Sequence, residues 1–312
     1  MPLVSIVIPA FNCAAYLRET IESMLAQRGV PALEVIVVND GSSDSTPRIA
    51  RSYGGVVRVI DQPNRGVSAA RNQGIRVAQG QFIALVDHDD YWFPDKLAHQ
   101  LEAFAAHPEV GVVFTGFQRW YAQEPGKRFA HPAHYAADAR PQGTEPAYCG
   151  WIYHQMLLDS CVLTSAALVR AQVFADVGCF DEALPFSEDW DLWLRVSRRY
   201  RFLKLREQST LYRQHAAQGS RVIRSIDYRT LLLEKAARHW GLASPDGQAV
   251  SRLRFRRQLA HFRTSFGLGH LSGAQGASRR IAVRSFCKAF ATDPSYWRSL
   301  AYMALMPLGW KP

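Results

Sequence analysis

The chain has 312 residues and is 48% hydrophobic, so it can bury a sizeable core and lacks the composition of a disordered protein. No apolar run approaches the roughly 20 residues that span a bilayer, and we see no signal peptide before the first apolar run. Five scattered cysteines without a CxxC pair indicate neither a zinc knuckle nor a disulfide framework, so we expect a cytoplasmic protein. The net charge of +10 combines an acidic first part with a basic last third, which predicts either an anionic partner for that third or a solvated surface.

The first part of the chain predicts alternating strands and helices. Apolar runs of strand length occur at Val4–Pro9, Glu34–Asn39, Val56–Ile60, Phe82–Val86 and Val110–Phe114. Helical spacing of apolar residues follows several of them, over 16–25 with Asn12 as its cap, over 68–79 and over 94–106. Strands that are apolar throughout and separated by helices predict a mostly parallel α/β sheet covered on both faces.

The later part of the chain has a different pattern. Residues 123–150 are rich in Pro, Ala, His and Gly, which predicts a long loop of the kind that often serves as a lid or binding loop. A further strand is predicted at Phe202–Leu205, and beyond Gln218 the sequence becomes helical and rich in arginine. We therefore predict an α/β domain over residues 1–218 and a helical, basic extension over residues 219–312.

Three of the predicted strands end in conspicuous polar sequences. The first is followed by PAFN, the second by NDGS and the fourth by DHDD. In open α/β sheets, ligands bind in the crevice beyond the carboxyl ends of the strands. A parallel sheet would bring these carboxylates to one edge, where their repulsion favours the binding of a cation.

Asp87-His88-Asp89 is the most specific local feature. Carboxylate oxygens suit Mg²⁺ or Mn²⁺, which keep open positions for water and substrate phosphates. A divalent ion held there could neutralise the charge of a departing diphosphate. The structural alternative is an Asp-rich turn before a helix, with Asp90 and Asp95 as caps.

A second carboxylate group opens an apparent helix at Glu188-Asp189-Trp190-Asp191. Acidic residues in a first helical turn are favoured by the helix dipole, so capping is one explanation. Three acids in four residues exceed what a cap requires, however. A partly desolvated carboxylate flanked by aromatic residues could act as a general base toward a hydroxyl.

Two further residues have both a functional and a structural interpretation. Arg71, in the small-residue segment NRGVSAARN, is suited to bidentate phosphate contact, or it forms a surface salt bridge. His215, at the end of YRQH, could bind Mn²⁺ through a neutral imidazole, or it is a structural histidine.

Taken in order, the segments IVIPAFN, VNDGSSD, NRGVSAARN, FIALVDHDD, GCFDEALPFSEDWDLWLR and YRQH resemble family 2 glycosyltransferases of the GT-A fold, over roughly residues 2–221. The resemblance implies that Pro9, Phe11 and Asp40 hold the nucleotide base of a sugar donor. It implies that Arg71 lies beside the base or diphosphate and that Asp87 contacts the ribose or a metal.

The same resemblance implies the catalytic and metal-binding residues. Asp89 would be the principal metal ligand for Mn²⁺ or Mg²⁺, and His215 a further metal or diphosphate contact. Asp189 would be the catalytic base, and Glu188 would support the acceptor site. The sequence departs from the family at Asn39, where a second Asp is common, and this leaves Asp40 intact.

The implied reaction is a single displacement with inversion, which moves a sugar from a nucleoside-diphosphate donor, with a UDP-sugar as the expected one, to a glycan or lipid-linked acceptor. Cell-surface polysaccharide or glycolipid synthesis is the expected setting. The alternatives are a sugar nucleotidyltransferase, which usually has a Gly-rich loop where this chain has PAFNCAAY, and a noncatalytic nucleotide-sugar-binding relative. A dinucleotide oxidoreductase would need GxGxxG after the first strand, which is absent, and we expect no nucleic-acid partner because no such motif occurs.

The basic last third suggests a location. Residues 1–196 contain 15 Lys+Arg against 22 Asp+Glu, and residues 197–312 contain 22 against 5. Arginine-rich helices followed by an aromatic, apolar tail from Tyr296 to Trp310 are typical of attachment to an anionic bilayer, here the inner face of the membrane. The alternative is that the tail packs on the protein or in a dimer, and Pro307 and Gly309 interrupt any single tail helix.

Overall fold

The computed structural model describes residues 3–122, 129–216, 218–272 and 274–305. The chain divides into two compact units, one drawn from residues 1–152 and 160–215 and the other from residues 153–159 and 216–312. The short segment 153–159 therefore groups with residues that follow it by some sixty positions or more. The division into domains at residue 218 stays a prediction.

Within the described residues, the first unit contains a sheet of eight strands in the order β3-β2-β1-β4-β7-β6-β8-β5. The strands are β1 (Leu3–Ala10), β2 (Ala32–Asp40), β3 (Val57–Gln62), β4 (Phe82–Leu85), β5 (Tyr91–Trp92), β6 (Val110–Tyr121), β7 (Ala167–Arg170) and β8 (Arg201–Gln214). β1 pairs in parallel with β2 and β4, and β2 pairs in parallel with β3. β7 runs antiparallel between β4 and β6, β6 and β8 are parallel, and β5 is antiparallel to β8. The predicted α/β architecture is confirmed, with a mixed sheet whose first four strands are parallel.

Helices alternate with many of the strands along the chain and follow the last of them. The first unit has α1 (Leu17–Leu25), α2 (Thr46–Arg51), α3 (Val67–Val77), α4 (Lys96–Ala106), α6 (Ala171–Val177) and α7 (Glu188–Val196). The second unit has α5 (Tyr153–Met156), α8 (Tyr228–Trp240), α9 (Arg252–Gly269), α10 (Arg279–Thr292) and α11 (Arg298–Leu305).

The core of the first unit follows from the alternation of side chains along β1 and β2. Ile6 and Ile8 of β1 and Val37 of β2 share a buried apolar cluster with Leu17 and Ile21 of α1. Strands of this kind are buried on both faces, which explains their continuous apolar sequence. On the other face Gly74 of α3 lies against Val7, and a Cβ at this glycine would clash with the Val7 side chain. Gly74 therefore sets how closely α3 approaches the sheet.

Neither Asn12 nor Asp95 caps a helix through its side chain. α1 begins at Leu17 after Tyr16, and Asn12 has a positive φ of 46° and accepts a hydrogen bond from the Ser43 amide at 2.8 Å instead of capping the helix. Asp95 stands at the N-cap of α4, but its side chain makes no capping hydrogen bond and pairs with Arg28. In both cases a polar side chain joins two distant segments.

The second unit consists mainly of helices over the residues that the structure describes. Leu271, Ala282 and Phe286 form a small buried cluster against which Tyr302 and Met303 of α11 pack, so part of the predicted tail folds back onto its own unit. Trp297 stays 66% exposed. Met306, Leu308 and Trp310 of the tail, and residues 123–128 of the predicted loop, lie outside the described residues. None of the helices in the described ranges has the length and hydropathy needed to cross a bilayer.

Candidate active site

The carboxyl ends of β1, β2 and β4 meet at one edge of the sheet, because β1 pairs in parallel with both neighbours. The chain leaves these strands at Phe11, at Gly41 and at Val86, and Asp87 follows Val86. The polar sequences that follow three separate strands therefore lie together, as the parallel pattern predicts.

Pro9, Phe11 and Asp40 flank this edge in different ways. Pro9 is buried in β1 and its carbonyl contacts the ring nitrogen Nδ1 of His88 at 3.2 Å, whereas Phe11 is 44% exposed. Asp40 Oδ1 accepts from the amide of Arg65 at 2.9 Å, and its Oδ2 accepts from the amide of Gly66 at 2.8 Å. The buried Asp40 carboxylate thus fixes the loop that leads into α3.

Arg71, in the second turn of α3, joins three segments of the site. Its guanidinium donates to Glu188 Oε1 at 2.8 Å and to Asp87 Oδ1 at 2.6 Å, and it lies 5.1 Å from the centre of the Phe180 ring. Burial opposes its charge, but the carboxylates of Asp87, Glu188 and Asp189 more than compensate and raise the Arg71 pKa. Arg71 is buried and both of its partners are partly buried, so the pair is not a surface salt bridge.

Asn72 was not singled out in the sequence analysis, although it helps to build the site. Its side-chain amide donates to the Phe180 carbonyl at 3.0 Å, and its Oδ1 accepts from the Phe180 amide at 2.9 Å. This pair of bonds holds the segment before α7 against α3, and Arg65 pairs with Glu182 nearby at 2.9 Å. A single Asn in NRGVSAARN carries no signal that would identify this role, because the partner lies 108 residues away.

α7 presents the second carboxylate group at its first turn. Ser187, immediately before it, has a left-handed φ of 62°, which a non-glycine residue rarely adopts. Glu188 and Asp189 follow this turn as the first two residues of the helix. Burial raises the pKa of Asp189 to about 7, with the neighbouring Glu188 adding to the rise and Arg71 opposing it. Asp189 Oδ1 accepts from the Trp190 amide at 2.7 Å. A carboxyl group with such a pKa can exchange a proton near neutral pH.

Asp191, the third acid of this turn, has a structural role. It pairs with Arg195 one turn later at 2.8 Å. Arg195 in turn donates to the carbonyls of Val177 at 3.0 Å and Cys179 at 2.8 Å. Asp191 therefore supports the loop before the helix, while Glu188 and Asp189 face the Arg71 cluster.

The DHDD segment after β4 is held from several sides. The Asp87 amide donates to Ser165 Oγ at 3.0 Å, and Thr20 Oγ1 donates to the carbonyls of His88 at 3.0 Å and Asp90 at 2.8 Å. Asp90 is fully buried and accepts from the Arg213 amide at 3.1 Å, so it is part of the turn's framework and not a helix cap. Burial raises the Asp90 pKa well above its usual range, and the charges of Asp89 and Asp87 add to the effect.

Asp89 and His215 form a pair. His215 Nε2 lies 2.8 Å from Asp89 Oδ2, and its ring packs 4.7 Å from that of Tyr16. Burial works against the charged form of Asp89, but the hydrogen bond with His215, the charges of His88 and His215 and a backbone hydrogen bond together outweigh burial and lower the Asp89 pKa. Asp89 is therefore an anion at neutral pH, as a metal ligand must be.

Arg213 is a buried positioning residue that the sequence analysis missed. Its Nε donates to the Asp89 carbonyl at 2.6 Å and its terminal nitrogen pairs with Glu19 at 2.5 Å. The guanidinium lies against the rings of Trp120 at 4.0 Å and Phe129 at 4.6 Å. Arginine stacks on aromatic rings while its planar donors stay fixed, so this residue holds the backbone of Asp89 in place.

The donor set near Asp89 is compatible with a divalent cation. Across the described ranges, no three His, Cys, Asp or Glu side chains converge as a ready metal cage. Mg²⁺, however, is usually bound through one or two carboxylates together with substrate phosphates and waters. The 2.8 Å between Asp89 Oδ2 and His215 Nε2 is close to the separation of about 3 Å between adjacent octahedral ligands with bonds of about 2.1 Å. Asp87 contributes a second carboxylate from the same segment, at present paired with Arg71.

Comparison with solved structures identifies the fold. The fold is similar to that of Staphylococcus aureus TarS in complex with UDP, with a TM-score of 0.64 and 19% identity, and the match covers 99% of this chain and 86% of that one. It is also similar to a mannosyltransferase of Pyrobaculum calidifontis in complex with GDP-Man and Mn²⁺, with a TM-score of 0.58 and 18% identity, over 98% of this chain and 80% of that one. The fold is thus the GT-A fold that the resemblance implies.

Comparison of sequences defines the family. Residues 5–156 match the model of glycosyl transferase family 2. A Rickettsia typhi protein described as an uncharacterized glycosyltransferase is 35% identical over 204 residues, which are 64% of this chain and 61% of that protein. The chain spans 32% and 31% of the length of two further Rickettsia relatives. Residues 5–156 therefore have the sequence of a glycosyl transferase family 2 domain, as the resemblance implies.

Proposed function

We propose that this chain is an inverting glycosyltransferase, which moves a sugar from a nucleoside-diphosphate-sugar donor to an acceptor hydroxyl. The observation that carries the proposal is the cluster at the strand ends, where Asp189, with a pKa of about 7, lies among Glu188, Arg71 and Asp87. This cluster supplies a proton acceptor and a fixed cation side by side. An inverting displacement requires the proton acceptor to activate the hydroxyl, and the fixed cation attracts the negatively charged diphosphate.

The donor is proposed to bind along the edge formed by β1, β2 and the start of α3. The exposed ring of Phe11 offers a surface for a nucleobase, with Pro9 beneath it and the Asp40-ordered loop beside it. Arg71 Nε is buried and has no hydrogen-bond partner among the described residues, which supports a bond to the base or the diphosphate. TarS binds UDP and UDP-GlcNAc and the Pyrobaculum enzyme binds GDP-Man, and a UDP-sugar is the donor we propose.

Asp189 is proposed to take the proton of the acceptor hydroxyl, while Glu188 orients the acceptor and Arg71. The raised pKa makes Asp189 a stronger base than an ordinary carboxylate. Because this pKa is about 7, a large fraction of Asp189 is still the deprotonated, active carboxylate near neutral pH. No protein nucleophile takes part in such a displacement, so the anomeric configuration inverts. Glu188 stays fixed through its bond to Arg71.

Asp89, with Asp87 and His215, is proposed to hold Mn²⁺ or Mg²⁺. The bound ion would neutralise charge on the leaving diphosphate, and the Mn²⁺ in the Pyrobaculum enzyme supports this dependence. A glycan or lipid-linked acceptor in cell-surface polysaccharide or glycolipid synthesis is proposed, with the protein in the cytoplasm and peripheral at the inner membrane face. The basic residues after residue 196 support that location, because anionic lipid attracts each nearby Lys or Arg by about 1 kcal/mol.

A screen of UDP-, GDP- and dTDP-sugars tests the proposal. Thermal unfolding with Mn²⁺ identifies the donor that raises the Tm, and the same donor is then assayed for sugar transfer and hydrolysis with and without EDTA. We expect turnover that EDTA abolishes and Mn²⁺ restores, and a product of inverted configuration. Binding without any turnover would favour the noncatalytic relative, and full activity in EDTA would contradict the metal site.

A further inference from the structure

The second unit contains an open pocket that the proposed reaction does not use. It has a volume of about 750 Å³ and is lined by α8, the 241–250 loop, α9 and the end of α10. This volume is in the range of pockets that bind small molecules, which is roughly 300–1,000 Å³. The pocket lies wholly in residues of the second unit.

Four arginines line this pocket, and two of them are unengaged. Arg263 pairs with Glu234, the acidic residue of the lining, at 2.6 Å, and Arg256 Nε donates to the Thr292 carbonyl at 2.7 Å. Arg238, in the last turn of α8, and Arg252, at the start of α9, have no hydrogen-bond or ion-pair partner in the described part of the chain. Four positive charges thus face one negative charge, which is already paired.

The remaining wall is apolar and offers little to a sugar or a base. Val250, Phe255 and Leu259 are buried side chains of the lining. Glu234 and Thr292, the other polar side chains there, are both engaged by Arg263. Leu253, next to Arg252, is 67% exposed. A ligand of matching chemistry has an anionic group and an apolar part.

We propose that this pocket binds the phosphate headgroup of a lipid. The phosphate would lie at Arg238 and Arg252, and the first carbons of the lipid's acyl chain would lie against Phe255 and Leu259. Guanidinium groups match phosphate oxygens with paired, charge-assisted hydrogen bonds. The proposal does not rest on the glycosyl-transfer reaction. It also differs from diffuse attraction to an anionic bilayer, because it assigns the affinity to two particular arginines.

Calorimetric titration of the full chain with dihexanoyl phosphatidic acid, below its micelle concentration, tests the assignment. The double variant Arg238→Gln/Arg252→Gln removes both unengaged cations. The matched control Arg254→Gln/Arg257→Gln removes two exposed cations from α9 that do not line the pocket. We expect the Kd of the first to rise at least about tenfold, since each lost bond involves a charged group, and that of the control to stay within about twofold. Equal thermal unfolding curves exclude misfolding.

Two further probes distinguish a lipid phosphate from a free phosphate ester as the ligand. Glycerol 3-phosphate has the phosphate without the chains, and dihexanoylglycerol has the chains without the phosphate. We expect both to bind at least about tenfold more weakly than the phosphatidic acid. Equal affinity for glycerol 3-phosphate would make a free phosphate ester the ligand and overturn the lipid. Absence of phosphatidic acid binding, or equal losses in the two variants, would overturn the pocket. Donor turnover by the same sample reports separately on the proposed reaction.

Discussion

Asp189 is the residue on which the proposed chemistry depends most directly. Asp189→Asn keeps the shape and the acceptor oxygen that faces the Trp190 amide, but it cannot take a proton. We expect kcat to fall by about 10²–10⁴-fold with donor Kd unchanged, because loss of a general base has this magnitude. Asp181→Asn, an exposed position before α7, is the control and should retain activity. A variant Asp189→Asn as fast as the wild type would refute the assignment.

The pKa of Asp189 also determines a pH dependence. Because the folded pKa is raised to about 7, the active carboxylate is lost as the pH falls below that value. We expect kcat/KM to be level above pH 7 and to fall about tenfold for each pH unit below it, since kcat/KM reports the free enzyme. The measurement is a kcat/KM profile between pH 5.5 and 8.5 at saturating metal. A kcat/KM that stays level down to pH 5.5 would mean that the base is an ordinary, solvated carboxylate.

The sequence identifies the residues whose pattern is local and misses those whose partners are distant. Asp87, Asp89, Glu188 and Asp189 stand in short runs of acids at the end of a strand or the start of a helix, where a pattern is visible. Arg213 acts through Asp89, which lies 124 residues earlier. No local spacing encodes such a contact, so only the folded chain brings these residues together.

At the scale of elements, Arg213 connects β8 to the turn after β4. Arg213→Lys keeps the charge but cannot reach both the Asp89 carbonyl and Glu19, because an ammonium group lacks the planar fork. We expect the Mn²⁺ concentration for half-maximal activity to rise about tenfold or more, since loss of an outer partner of a metal ligand typically has that effect.

The readout for this variant is a Mn²⁺ titration of activity together with calorimetric Mn²⁺ binding in the presence of UDP. Arg119→Lys, at an exposed position of β6, is the matched control. If kcat falls at saturating Mn²⁺ while metal affinity is unchanged, Arg213 is not a positioning residue for the metal site.

The contact of α3 with the sheet depends on Gly74. Gly74→Ala improves helix propensity by about 1 kcal/mol, but the new methyl group meets Val7 of β1. Overpacking typically destabilises by about 1–3 kcal/mol, so we expect a net decrease in the free energy of unfolding, measured as a lower urea midpoint. Gly55→Ala, where a Cβ meets nothing within 4 Å, should leave the midpoint unchanged. An unchanged midpoint for Gly74→Ala would show that α3 can move away from the sheet without loss.

The elements show where pattern-based prediction succeeds and where it fails. β1, β2 and β4 are continuous apolar runs bounded by polar turns, and they were predicted within a residue or two. β7 was not predicted, because its four residues Ala167–Arg170 are too few to establish a period. Parts of β6 and β8 were predicted as strands, but the antiparallel pairings of β7 with β4 and β6 could not be predicted without β7.

For the whole molecule, the uneven charge predicts how the protein responds to lipid. We expect it to sediment with phosphatidylglycerol vesicles at low ionic strength and to be released at 0.5 M salt, because screening shortens the reach of surface charges to a few ångström. Vesicles of phosphatidylcholine alone are the control and should bind little. Protein that stays in the supernatant at every lipid composition would contradict the peripheral location. The alternative, in which the tail packs within the protein, would then be supported.

The grouping of segment 153–159 with residues beyond 215 affects the order in which the chain can fold during synthesis. Tyr153 donates to the carbonyls of Ala236 at 3.1 Å and Gly241 at 3.0 Å, and His154 bonds with Ser244. These partners leave the ribosome more than eighty residues after Tyr153 does, so the segment stays without them for several seconds at typical elongation rates of about 5–20 residues per second. A protein truncated after residue 218 would never gain these partners. The Tyr153 side chain, which is buried in the full chain, would then stay exposed to water and to the cell's chaperones.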